Sequence, residues 1–476
     1  MSINYSQLPD DWKTSTVTVI HKKGSKSVVS NYRPISLTCI VCKVLESIIR
    51  DYLMEYFLTN KLFSCKQYGF IKGRSTALQL LKLVDQWTSD LENGGQIDIV
   101  YTDFEKAFDK ISHYYLLCKL KSYGVSEILI KWIESFLCHR QHRVRINNKY
   151  SVWKDVPSGI PQGSILGPIL FVIYINDLPE CCFNSDLFLF ADDAKLYKYV
   201  CNVNDSILLM QNCQKLYDWS DKWLMKLNLD KCKVMSLGRK VTEFKYGFNV
   251  QNVGFVKLEH VSSMKDLGVV FDSDLSFKNH MDEKIAKAYQ MLGIIHRNFN
   301  HLDKKSFVMI FKCLVRSQLE YAHTVWSPFK CVNILDVEKV QMRATKMVAG
   351  SKSLSYVERL KLLQLPTLRF RRLRGDMIET YKILNGYYDS ELVPNLNLNV
   401  CHRTRGHSFK LDVLRTKYDL RKYAFPSRII SSWNSLTEDV VQASSVNVFK
   451  NKLDKLWKME EIYFDYEAKL PGNMFR

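Results

Sequence analysis

Apolar and polar positions alternate in blocks whose periods change several times along the 476 residues. Thr16 to Ile20 alternates like a strand, Val41 to Phe57 has apolar residues at helical spacing, and the β-branched run Ile97 to Thr102 reads as a buried strand. Ile128, Leu129, Trp132, Ile133, Phe136 and Leu137 form a helical stripe after Gly124, with Ser126 as its predicted N-cap. Arg143 to Ile146 and Val152 to Val156 flank Asn147-Asn148 and predict a hairpin. The Pro157 to Gly163 loop then leads into an apolar helix. Leu187 to Phe190 and Lys195 to Val200 predict a second hairpin, with Asp192 and Asp193 at its tip. After Asp272 the period is helical throughout, with helices predicted over Phe277 to Phe299, Lys304 to Trp326 and Val337 to Ala349.

Length and composition bound the class. A chain of this length suggests two to four domains, and 46% hydrophobic residues suffice for sizeable cores. The longest apolar run, Ile165 to Ile175, is too short for a membrane span and is interrupted by Gly167 and Pro168. Met1 to Asp11 lacks the basic and apolar regions of a signal peptide. The 13 cysteines include one C-x-x-C pair, Cys39 and Cys42, with no second pair to complete a zinc site, and are read as reduced thiols of an intracellular protein. The net charge of +19 points to a polyanionic partner. It is concentrated in two places. Trp12 to Leu45 carries Lys13, Lys22, Lys23, Lys26, Arg33 and Lys43 with no acid, and residues 361 to 430 hold 14 basic against 6 acidic residues, with Arg369, Arg371, Arg372 and Arg374 close together.

The acids carry the chemistry. An Asp-Asp pair is by itself an ordinary solvated turn. A second acid, Asp103, stands where the Ile97 run ends. Carboxylates converging from separate strands repel unless a cation lies between them, and hard oxygen ligands suit Mg²⁺. Two such ions clamp the attacking and leaving oxygens of a phosphoryl transfer.

The chain resembles the reverse transcriptases of non-LTR retrotransposons, of the jockey-like kind. The resemblance rests on Asn31-Tyr32-Arg33-Pro34-Ile35-Ser36-Leu37, Gln67-Tyr68-Gly69-Phe70 with Gly73-Arg74-Ser75-Thr76, Asp103 to Asp109, and Ser158-Gly159-Ile160-Pro161-Gln162-Gly163-Ser164 with Leu166-Gly167-Pro168. Phe190-Ala191-Asp192-Asp193 (the FADD motif), Asn228 to Met235 and Lys265 to Asp272 follow in the family's order.

The resemblance implies an α+β right-hand polymerase: fingers (about 12–96), a palm with an antiparallel sheet (about 97–272), a helical thumb (273–350) and a basic, mostly helical C-terminal region (351–476). It implies RNA-directed DNA polymerisation on an RNA template, from a DNA primer or nicked target DNA, with dNTPs and two Mg²⁺ ions, Mn²⁺ being able to substitute. Asp103, Asp192 and Asp193 would hold metal. Arg33, with Lys22 and Lys23, would grip the triphosphate, and Gln162 and Gly163 would line the template and nucleotide pocket. Phe108 would gate the sugar, though an aromatic core residue fits the position equally. Lys231 resembles the lysine that protonates the leaving pyrophosphate, though an exposed lysine is the commoner explanation of any one Lys. The arginines 369 to 374 are expected to clamp nucleic acid. The family's upstream endonuclease is not expected in this chain, and the nucleus or cytoplasm is the expected location. A non-polymerising RNA-binding relic and a group II intron-type maturase are the alternatives.

Overall fold

The computed structural model describes residues 2–468 apart from Lys23, Lys240, Asn300 and 400–405. Lys23, one of the expected triphosphate contacts, therefore lies outside the described residues. The chain forms two compact units. The first comprises Met1–Ser75, Asp98–Ser236 and Thr242–Val261, and the second Thr76–Ile97, Leu237–Val241 and Ser262–Arg476. This grouping differs from the expected segments. Thr76–Leu91, expected within the fingers, clusters with the C-terminal unit, and residues on either side of the 350/351 boundary share that unit.

The first unit holds two five-stranded sheets. In one, the spatial order is Glu259–His260, Lys233–Leu237, Gln96–Thr102, Asp193–Val200 and Asp186–Phe190. Its central Gln96–Thr102 strand is buried along its whole length, and the Asp98 carboxylate it buries accepts from Ser236 Oγ and from the Tyr246 hydroxyl, at 2.5 Å each. The expected acid-tipped hairpin is present as an antiparallel pair with Phe190 opposite Asp193. The Gly167–Ile175 helix is apolar on every face and buried at every position except Pro168, so it forms the centre of the core.

The second sheet pairs Tyr32–Leu37, Thr14–His21, Arg140–Ile146 and Lys149–Tyr150 in that order, with Lys154–Val156 also on Arg140–Ile146. Asn147 and Asn148 both adopt positive φ, 46° and 63°, as a tight hairpin between right-twisted strands requires. The returning strand starts before the predicted Val152, with Lys149–Tyr150 paired directly after the turn, and is then interrupted until Lys154–Val156. Ser151 bonds Val144 through both its backbone and its hydroxyl, which leaves Val152 and Trp153 outside the ladder. Ser126 stands at the N-cap of Glu127–Leu137 with extended backbone, but its side chain makes no capping bond.

The second unit is mostly helical. Its principal helices are Thr76–Leu91, Lys278–Asn298, Cys331–Thr345, Leu368–Leu384 and Val446–Trp457, beside the hairpin of Ser263–Asp266 and Val269–Asp272. The single helix predicted over Lys304 to Trp326 is broken. Lys304–Ile310 runs into a π turn over Phe311–Arg316, Ser317–Glu320 follows, and Ala322 turns left-handed (φ 49°) before His323–Trp326. Side chains impose the break: the Trp326 indole donates to the Tyr321 carbonyl at 2.7 Å, and His323 bonds the Glu320 carbonyl at 3.0 Å. Among the described residues no helix is long and apolar enough to cross a membrane, and Cys39 and Cys42 are free thiols.

Candidate active site

Asp103 follows the last residue of the buried Gln96–Thr102 strand, so its backbone is fixed by the sheet. Its carbonyl accepts from the Asn228 N–H at 2.7 Å, and Phe104 bridges Leu227. That contact delivers the short 3-10 turn Leu229–Lys231, and Lys231 Nζ reaches Asp103 Oδ2 at 2.7 Å. Lys231, expected only as a donor to the leaving pyrophosphate, is thus ion-paired to the first palm acid, a contact that sequence reasoning did not anticipate.

Asp192 lies in the turn between Asp186–Phe190 and Asp193–Val200, and the second of these neighbours the Gln96–Thr102 strand that Asp103 follows. Burial raises the Asp192 carboxyl above the usual carboxylate range; its own backbone N–H opposes this, the charge of Asp103 adds to it, and Lys22 and Arg33 pull it back. One acid and two bases from distant parts of the sequence thus act on Asp192 in its half-buried turn. Arg33 and Lys22 are themselves exposed. Asp193 begins the return strand and is exposed.

This arrangement fits a divalent cation. Like charges that raise one another's pKa are relieved by a cation between them, and Mg²⁺ is commonly held by one or two carboxylates with substrate phosphates completing its shell. Among the described residues no group of three or more His, Cys, Asp or Glu side chains stands together as a ready metal site.

The Pro157 to Gly163 loop packs on the segment that follows Asp103. Gln162 Nε2 donates to Asp109 Oδ1 at 2.9 Å, and the Gln162 carbonyl accepts from the Ser36 N–H at 2.7 Å, on the strand that carries Arg33. Gly163 has φ 136°, and a Cβ there would lie 2.3 Å from the Ser36 carbonyl oxygen, so only glycine allows this approach. Phe108 is half-buried and stacks on Phe171, with ring centroids 4.4 Å apart and planes at 21°. One face is thereby core, which leaves the ring rigid.

Sequence reasoning missed Glu46. It is fully buried, and its Oε2 accepts from Ser164 Oγ (2.5 Å), Ile165 N (2.8 Å) and Leu166 N (3.1 Å), which anchors the loop at the start of the Gly167–Ile175 helix. The available signal was its register: Cys42, Ile49, Leu53 and Phe57 mark the buried face of Ile40–Thr59, and Glu46 falls on it.

The arginines 369 to 374, expected to clamp nucleic acid, are engaged or buried within the protein. Arg369 donates to the Tyr466 and Ala468 carbonyls, Arg371 makes two bonds to Glu320 (2.7 and 3.1 Å), and Arg374 pairs with Asp454. Arg372 is 3% exposed, and burial pushes its guanidinium down to about 10. These side chains tie the Leu368–Leu384 helix to its neighbours and do not form a free phosphate-facing stripe.

The family described as "Reverse transcriptase (RNA-dependent DNA polymerase)" matches residues 20–271. The RNA-directed DNA polymerase from mobile element jockey of Drosophila funebris is 28% identical over 354 residues, covering 71% of this chain and 38% of that protein. The probable RNA-directed DNA polymerase from transposon BS of Drosophila melanogaster is 27% identical over 365 residues, covering 71% of this chain and 38% of that protein. The chain thus spans under two fifths of the length of these relatives. A solved structure of apo telomerase from Candida tropicalis aligns with a TM-score of 0.42 at 10% identity, over 74% of this chain and 62% of that one.

Proposed function

Because the chain belongs to the reverse transcriptase (RNA-dependent DNA polymerase) family, we propose that it extends a primer 3′ end with deoxynucleotides on an RNA template, as the polymerase part of a non-LTR retrotransposon protein. The observation that carries this reading is the placement of Asp103 directly after the Gln96–Thr102 strand and of Asp192 in the turn before Asp193–Val200, the neighbouring strand of the same sheet. Asp103 and Asp192 would hold two Mg²⁺ ions, with Asp193 assisting and Mn²⁺ as a substitute. When bound, such ions lower the pKa of the primer hydroxyl and neutralise charge on the triphosphate.

The chain's own residues do the rest. Arg33 offers a planar donor fork to a phosphate, with Lys22 as a point charge beside it. Lys231 exchanges its bond to Asp103 for the leaving pyrophosphate, to which it gives a proton. Gln162 and Gly163 hold the loop against the strand of Arg33 and border the template and nucleotide pocket. Phe108, stiffened by Phe171, presents its free edge to the sugar. The template is RNA, the primer is DNA or a nicked target, and the setting is intracellular, in the nucleus or cytoplasm.

Primer extension on a generic RNA template with Mg²⁺ tests the reading. Asp192→Ala is expected to lower the rate by roughly a thousandfold or more while RNA affinity is retained. Activity retained within about tenfold, or no extension by soluble, folded wild-type chain, overturns it.

A further inference from the structure

The Asp192 turn has an unusual support. Ala191 adopts a left-handed conformation, φ 53°, which is strained for a residue with a Cβ and persists only where neighbours fix it. What fixes it comes from a distant segment. Lys66 and Tyr68 bond Leu189 on both sides through the backbone, at 2.9 and 2.8 Å, and Gln67 forms a parallel bridge with it. Gln67 is 0% exposed, and its Oε1 accepts from two backbone N–H groups, Gly69 at 2.7 Å and Ala191 at 2.9 Å. A Cβ on Gly69 would lie 2.4 Å from the Ala191 nitrogen, so glycine is what lets this segment close on the turn. The other end of the amide, Nε2, is buried without a hydrogen-bond partner.

We propose that Gln67 is the positioning residue of the acid turn: its side-chain oxygen clamps the Ala191 N–H and so aims Asp192 at Asp103. The buried oxygen is the working atom, and the amide nitrogen makes no bond that a replacement would forfeit. The proposal rests on the polymerase reading for its kinetic consequence, but not for its effect on cation binding. Gln67 touches neither primer nor nucleotide in this scheme and acts only through Asp192.

The test compares Gln67→Met, which keeps the volume and loses the acceptor, with Gln67→Glu, which keeps an acceptor oxygen for both N–H groups. Full-length chains are assayed for single-nucleotide addition and, by electron paramagnetic resonance, for Mn²⁺ affinity. Gln67→Met is expected to lower kcat by about a hundredfold, the cost of a small misplacement of a reacting group, to leave the dNTP KM within about twofold, and to weaken Mn²⁺ binding. Gln67→Glu is expected to restore rate and affinity to within about tenfold of wild type. Adding Gln67→Met to Asp192→Asn is expected to cost little more than Asp192→Asn alone.

Wild-type kcat in Gln67→Met overturns the proposal, as do losses that multiply in the double variant. If Gln67→Met does not fold, Gln67→Glu decides: near-native rate and affinity support the proposal, while a deficient or unfolded chain overturns it. A wild-type chain that binds Mn²⁺ yet extends no primer removes the polymerase reading, and Gln67 is then judged on Mn²⁺ affinity alone.

Discussion

Glu46→Leu is expected to be among the most damaging single changes in the first unit, although residue 46 touches neither of the proposed catalytic acids. The carboxylate satisfies three donors, two of them backbone N–H groups at the start of a buried helix, where a negative charge also meets the positive end of the helix dipole. Leucine has similar volume, so no cavity term arises. The Ser164 hydroxyl can turn to another acceptor, but the Ile165 and Leu166 N–H groups cannot, and each buried orphan costs about 1–3 kcal/mol. Arg140, 2% exposed and held by the Phe136 and Trp12 carbonyls, also loses a nearby opposite charge. Against these stands the relief of no longer burying the carboxylate, which leaves a net loss of about 3–5 kcal/mol, as when one member of a buried pair is removed. For a unit of this size that lowers Tm by roughly 6–15 °C. Glu46→Gln keeps one good acceptor and is expected to cost about 1–2 kcal/mol. Urea unfolding with matched m-values and a thermal melt measure both variants. A loss under about 1 kcal/mol for Glu46→Leu would mean that the desolvation of the carboxylate cancels its bonds, and the anchoring role would be refuted.

Asp192→Asn in metal-free buffer is expected to raise Tm at neutral pH. The folded state holds this carboxyl's pKa above its unfolded value, so its ionisation penalises the fold as pH rises through that window and above it. The gain should vanish below about pH 3.9, and a Tm unchanged at pH 7 would contradict the burial argument. His280 is the opposite case. Burial, then the Lys284 charge, pushes its imidazole down to about 3, and Nδ1 accepts from Val270 N at 3.1 Å. Stability is therefore present above about pH 6.5 and lost toward pH 3, with a slope up to about 1.4 kcal/mol per pH unit, and His280→Asn should flatten that slope in acid melts. Phe108→Val, which gives up the stacking on Phe171, should cost about 2–3 kcal/mol and raise the ratio of ribonucleotide to deoxynucleotide incorporation. An equal drop for both sugars would leave Phe108 as core alone.

The parts of the site that were legible in the sequence are those set by short-range pattern. A β-branched run followed by an acid places Asp103 at a strand end, and an apolar run broken by Asp192 and Asp193 gives a hairpin whatever surrounds it. Side-chain partnership was not legible. Nothing local to Arg371 or Arg374 reveals that Glu320 and Asp454 take up their charge, so a run that reads as a phosphate clamp is an internal brace. The break at Ala322 was hidden for the same reason, since the residues from Lys304 to Trp326 keep helical spacing while two side chains pull the backbone out of it. Glu46 stood in plain view as the one acid on the buried face of the Ile40–Thr59 helix.

The order in which the chain visits its two units bears on how it can be made. The path crosses from the first unit to the second near residue 76, returns near 98, crosses again for 237–241, and leaves for good at 262. A growing polypeptide thus emits the Thr76–Leu91 helix, whose Leu78, Leu80, Leu81, Leu83 and Trp87 are all buried in the folded chain, long before the Leu368–Leu384 and Val446–Trp457 helices of its own unit exist. That helix must wait, greasy and unshielded, through the synthesis of several hundred residues, the circumstance in which nascent chains aggregate or recruit chaperones. A gene cut after residue 272, at the apparent end of the sequence motifs, would leave it waiting permanently.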